Sequence, residues 1–151
     1  MGECKEQVDD VIMQLKIPPE DIRLLDFNTN KKVYFDCLDH FVKSGDRKWW
    51  WEDFRQKYFI LKDLENYDVL KEILPDTEEK VWFMIEDDED PFYPIYEVKA
   101  AFIPIILSEY YYFEYYIINK NKDWLLCENH HDRVYGIGEI LRNKNISRIL
   151  E

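Results

Sequence analysis

Residues Tyr110 to Glu139, YYYFEYYIINKNKDWLLCENHHDRVYGIGE, constrain the fold more tightly than any other stretch of this chain. Two runs rich in aromatic and branched apolar residues, Tyr111 to Ile118 and Trp124 to Cys127, flank the polar segment Asn119-Lys120-Asn121-Lys122. Such runs favour extended backbone and such an interruption favours a turn, so the pattern predicts an antiparallel hairpin. With Lys120 and Asn121 as the turn, Ile117 would face Trp124, Tyr115 would face Leu126 and Phe113 would face Glu128, leaving one face apolar up to its last pair. Lys-Asn lacks the glycine of the tightest hairpin turns, so a loop one or two residues longer is the alternative. Val134 to Ile137 predicts a third strand, Glu139 to Arg142 a short helix, and Ile146 to Leu150 an edge strand or a final turn.

A chain of 151 residues suffices for one domain around a single core. At 46% hydrophobic and 17% aromatic, it carries far more core-forming side chains than a disordered protein of equal charge. Thirty-two acids against twenty bases leave a formal charge of −12, which repels phosphate backbones and anionic lipid surfaces. Nucleic acid and membrane are thereby disfavoured as partners, and a basic protein is favoured. Cys4, Cys37 and Cys127 show neither metal-finger nor redox-pair spacing, which fits reduced thiols in the cytoplasm. The start of the chain has no signal-peptide pattern. The longest apolar run, Ala100 to Leu107, falls short of the roughly 18 residues a membrane helix needs.

Val8, Val11, Ile12 and Leu15 predict a helix over residues 4–16, halted before Pro18-Pro19. Pro19, Glu20 and Asp21 suit the first turn of a short second helix carrying Ile22 and Leu25. Asn28-Thr29-Asn30 reads as a turn and a cap, and Tyr34, Cys37, Leu38 and Phe41 as a helical stripe closed by Ser44-Gly45. Asp46 would cap a helix with Trp50, Phe54 and Tyr58 on one face; successive helical positions diverge by about 100°, so Trp49, Trp50 and Trp51 cannot all point inward. Leu64, Tyr67, Leu70 and Leu74 predict a helix from about Asp63 to Leu74, ended by Pro75. Val81, Phe83 and Ile85 alternate with Trp82 and Met84, predicting a strand apolar on both faces and interior to a sheet. From Pro94, the beat of Ile95, Val98, Phe102, Ile105 and Ile106 predicts a helix kinked by Pro104, or else a helix ending near Ala101 and then a short strand. The expected fold is α+β, a helical N-terminal half packed on a mainly antiparallel sheet from the C-terminal half, as one domain over residues 1–151.

Glu128-Asn129-His130-His131-Asp132 is the densest group of potential ligands and general bases. Imidazole and carboxylate suit zinc and similar ions, so His130, His131 and Asp132 are candidate metal ligands, and with Glu128 they are the candidate catalytic groups of a hydrolase. Adjacent histidines on a continuing strand face opposite sides, so only a turn at His130-His131 would unite them, with His40 or an acid completing the site. The plainer reading is a structural turn. Cys127 lies three residues before His130 and invites a thiol nucleophile, against the plainer reading of a small buried residue in a sheet. Gly136-Ile137-Gly138 lacks the third glycine of a dinucleotide-binding turn and reads as ordinary turn geometry. Glu86-Asp87-Asp88-Glu89-Asp90 lacks the glycine and spacing of a calcium loop and reads as a solvated loop or a recognition surface, with Tyr93 and Trp49 as candidate aromatic anchors. No cofactor is implied.

From Phe113 to Ile118 and from Asp123 to Asp132 the sequence resembles small bacterial proteins grouped as a domain of unknown function, a likeness confined to this stretch that implies no activity. In size, acidity and aromatic content the chain also resembles bacterial immunity proteins, which bind and block a toxin domain. The leading expectation is a cytoplasmic protein-binding module for a basic partner, of the immunity type. The rivals are the hydrolase centred on His130, His131 and Asp132, and a domain whose aromatic cluster encloses a small ligand. Nothing in the pattern specifies an oligomeric state.

Overall fold

The computed structural model describes residues 3–43, 50, 54–61, 69–86, 93–109, 114–129, 134–142 and 148–150. The alternation from Val81 to Ile85 places its strand, β3 (Lys80–Ile85), deep in a sheet, between β4 (Ile95–Lys99) and β5 (Tyr115–Asn119). Around them lie β1 (Ile22–Leu24), β2 (Phe59–Leu61), β6 (Leu125–Glu128), β7 (Val134–Ile137) and β8 (Arg148–Leu150). The order is β1-β4-β3-β5-β6-β7-β2-β8, every neighbour antiparallel. The helices are α1 (Glu3–Leu15), α2 (Phe27–Phe41), α3 (Val69–Ile73), α4 (Phe102–Glu109) and α5 (Glu139–Arg142). The fold is α+β.

Because side chains alternate along each strand, the sheet has two apolar faces and needs two covers. On one face Val81, Phe83, Ile85, Val98, Ile117 and Leu126 pack against Val8 and Val11 of α1, Leu70 and Ile73 of α3, Ile103 and Ile106 of α4 and Leu141 of α5. On the other, Met84, Ile95, Tyr116, Ile118, Leu125 and Cys127 pack against Tyr34, Cys37, Leu38 and Phe41 of α2, joined by Trp50 and Phe54. Each fully buried large side chain contributes about 1.5–3 kcal/mol, so both covers stabilise the sheet. Among the described residues no helix is long and apolar enough to cross a membrane.

Three expectations are overturned. Residues 22–24 form a strand rather than a short helix, because pairing with β4 satisfies their backbone while Ile22 turns into the core and Arg23 reaches Glu97. Two strands from the N-terminal half, β1 and β2, thus extend a sheet expected from the C-terminal half alone. The helix expected over Trp50, Phe54 and Tyr58 is absent at its described end: Phe54 bridges to Val42, Arg55 donates its backbone N–H to Phe41 O at 2.8 Å, and β2 follows. The helix from Pro94 is replaced by β4 and then α4. Pro104 is the third residue of α4, in the first turn, where a backbone N–H has no intrahelical acceptor and its loss costs nothing.

Smaller adjustments follow local chemistry. α2 starts at Phe27, earlier than the 28–30 turn, because Asp26 accepts the Thr29 N–H at 2.9 Å and caps it. The hairpin exists with the longer loop: Ile117 pairs with Leu126 and Tyr115 with Glu128, shifted by two residues from the tight-turn register. A two-residue shift keeps every side chain on its face. Its cause is Asn119, whose Oδ1 accepts from the backbone of Asp123 (2.7 Å) and Trp124 (3.1 Å) and so closes a loop over 120–124. β7, α5 and β8 occur where the sequence places them.

Candidate functional site

With both faces of the sheet covered, the chemistry-bearing side chains collect at its two ends. One end carries Glu86 after β3, Glu114 before β5, and Glu128 and Asn129 finishing β6. The Glu86 N–H donates to Glu114 O at 3.0 Å, and Glu128 pairs with both Tyr115 and Val134. The fold thus brings together the strand ends that flank the acidic run and the histidine pair. Asp87 to Asp90, Trp49, His130, His131 and Asp132 lie outside the described residues. Among the described residues no three His, Cys, Asp or Glu side chains converge closely enough to hold a metal ion. His40, the proposed additional ligand, sits in the last turn of α2 with its ring edge-on to Phe41 at 4.7 Å.

Tyr93 is a correction. Expected as a surface anchor, it is only 6% exposed. Its ring stacks on Tyr116 at 5.9 Å and meets Tyr34 edge-on at 5.5 Å, with Trp50 at 6.1 Å. These rings pack against one another, and Trp50 donates its backbone N–H to the Tyr116 hydroxyl at 3.1 Å. Burial, then the charges of Glu86 and Glu114 among its neighbours, pushes the Tyr93 phenol up and keeps it protonated. Burial likewise pushes the Cys127 thiol up, with Glu114 next, and the Cys37 thiol up to about 12. Both are core residues without thiolate character, the opposite of an activated nucleophile.

The other end of the sheet holds a cleft of about 870 Å³ that sequence reasoning missed. Asp76 and Glu79 come from the link between α3 and β3, Asp123 from the hairpin loop and Glu139 from the start of α5, and Lys57 also lines the cleft. Asp76 Oδ1 accepts from the Glu78 N–H at 2.9 Å, and Asp123 Oδ2 accepts from Asn119 Nδ2 at 3.1 Å. Gly138 completes the wall at φ +116°, where an added Cβ would lie 2.7 Å from Asp123 O. Burial, then Asp76 and Asp123, holds the Glu79 carboxyl above its ordinary range. The turn residues at 119–123 were legible, but the convergence of these acids depends on the strand order. Near this end Lys99 lies 3.1 Å from Glu78, Glu97 receives both Arg23 and Lys120, and the Lys120 ammonium also lies 4.9 Å from the Trp82 ring centre.

No curated protein and no solved structure matches this chain. A family model does, over residues 2–148, and its description is Family of unknown function (DUF6756). Because that match spans nearly the whole sequence and includes both ends of the sheet, the chain belongs to this family of unknown function.

Proposed function

We propose that this chain is a binding module for a basic protein, of the kind an immunity-type inhibitor forms with a toxin domain. The supporting observation is where acid sits on a scaffold whose apolar faces are already covered by its own helices. Recognition is then left to the sheet ends, and the end carrying the partly exposed Glu86 and Glu128 leads into the acidic run Glu86 to Asp90. A formal charge of −12 steers a basic partner toward such a surface before any contact forms.

The test starts with cross-linking of the tagged chain in cells and identification of its partner by mass spectrometry. Association of the purified pair is then followed by stopped flow at several salt concentrations, with the native chain and with Glu86, Asp87, Asp88, Glu89 and Asp90 changed together to Gln or Asn. The native on-rate is expected to fall about tenfold or more from low to physiological salt, and neutralisation to flatten that dependence. A partner whose on-rate ignores both salt and the substitutions overturns the reading.

A further inference from the structure

With Tyr93 buried, the acidic end of the sheet still carries an exposed aromatic side chain, and it comes from α2. The buried stripe of α2 runs through Asn30, Tyr34, Cys37, Leu38 and Phe41, and one turn before Asn30 the same stripe reaches Phe27. Phe27 is nonetheless 64% exposed. The sheet ends beneath it: Asn30 already sits at the start of β4, where its Nδ2 donates to Tyr93 O and its Oδ1 accepts the Ile95 N–H. Phe27 therefore overhangs the strand ends, largely outside the core that the rest of its stripe builds. In the same connection Leu24, the last residue of β1, is 39% exposed.

The charge at this junction selects what can dock there. Asp26 lies between the two apolar residues and is exposed, and the Thr29 N–H holds its carboxyl below the ordinary range. Glu86 follows β3 at the same junction, since Ile85 donates its N–H to Pro94 O at 3.1 Å and Leu25 donates its own to Ile95 O at 3.0 Å. Arg23, the neighbouring cation on β1, is engaged by Glu97 at 2.9 Å. A second copy of this chain, at a formal charge of −12, would be repelled from such a surface, whereas a basic protein is drawn to it. Binding energy in protein interfaces concentrates on a few desolvated anchors, and the charges around them govern encounter more than residence. We propose that Phe27 is the aromatic anchor of the binding surface, packing on an apolar side chain of the basic partner, with Leu24 in the same connection and with Asp26 and Glu86 facing the partner's basic groups.

This inference rests on the binding-module reading, and the experiment separates the two. The photoreactive amino acid p-benzoylphenylalanine is placed in the full chain at position 27 or, as a control, at position 36 on the exposed side of α2, and the cells are irradiated. Position 27 is expected to capture one protein of basic isoelectric point, and position 36 to leave it uncaptured. Association of that protein with the purified chain is then followed by stopped flow. Phe27→Ala should raise the dissociation rate at least tenfold while the on-rate and its salt dependence stay unchanged, and Phe27→Leu should recover part of the loss. A thermal melt of each variant confirms folding. No capture from position 27, capture of an acidic protein or of a second copy of this chain, equal capture from position 36, or an unchanged dissociation rate in folded Phe27→Ala overturns the inference. If Phe27→Ala speeds dissociation while neutralising Glu86 to Asp90 leaves the on-rate untouched, the anchor stands and the acidic steering falls.

Discussion

The side chain of Asn30 in α2 takes the place of a neighbouring strand at the start of β4: its Oδ1 accepts the Ile95 N–H at 2.8 Å and its Nδ2 donates to Tyr93 O at 2.9 Å. The two residues are 65 positions apart, and the contact is buried. It ties the α2 layer to the sheet by satisfying two backbone groups that no strand reaches.

Asn30→Ala is expected to destabilise the fold by about 2–4 kcal/mol, since it strands a buried donor and a buried acceptor together. Asn30→Asp keeps the acceptor and loses the donor, so it should also destabilise. Urea denaturation followed by tryptophan fluorescence measures both. A loss below about 0.5 kcal/mol in the alanine variant would show that water replaces the amide at no cost.

Glu79 predicts a pH dependence with a definite sign. Its folded-state value lies above the ordinary 4.5, so the folded chain holds this proton more tightly than the unfolded chain. The stability tied to that proton is fully present below 4.5 and is lost as pH rises through the folded-state value. Glu79→Gln, which cannot ionise, should therefore be more stable than the native chain at pH 7, by up to about 1 kcal/mol for a partly exposed group. The gain should shrink toward zero as pH falls to 4.5. Chemical denaturation of both proteins across pH 4–8 tests this, and a gain that grows on acidification would contradict it.

Gly138 holds φ +116° with Asp123 O and Trp124 Cβ close against it. Alanine there meets both backbone strain and a contact that cannot relax, because its neighbour is backbone. Gly138→Ala should cost about 2–4 kcal/mol and lower the melting temperature accordingly. The same change should broaden the amide resonances of the 119–124 loop.

Cys37 and Cys127 should resist thiol reagents. A thiol pushed up from 9.0 to about 12 carries roughly a thousandfold less thiolate at pH 8, and both sulfurs are buried. In a Cys4→Ser background, reaction with a chromogenic disulfide should proceed only as fast as the fold opens and should accelerate with urea. Rapid stoichiometric labelling in native buffer would place an activated thiol in the structure after all.

What was legible in the sequence is what alternation and chain-local chemistry specify. Val81 to Ile85 fixed a strand interior to a sheet, Val8 to Leu15 a helix, and the Asn119 to Asp123 interruption a hairpin with its faces correctly assigned. These follow from periodicity and turn chemistry, which need no partner to be read. Residues 22–24 and 95–99 became strands only because each offered the other an edge, and apolar residues three apart cannot announce whether they will be wound or paired. The packing of Tyr93 was hidden for the same reason, since its neighbours Tyr34, Trp50 and Tyr116 come from three other stretches. The cleft depends most on tertiary structure: Asp76, Glu79, Asp123 and Glu139 are ordinary acids along the chain, and only the order of β3, β5, β6 and β7 sets them around one space. Local pattern specifies which elements form, whereas strand pairing, whose hydrogen bonds join residues far apart in the chain, decides which side chains meet.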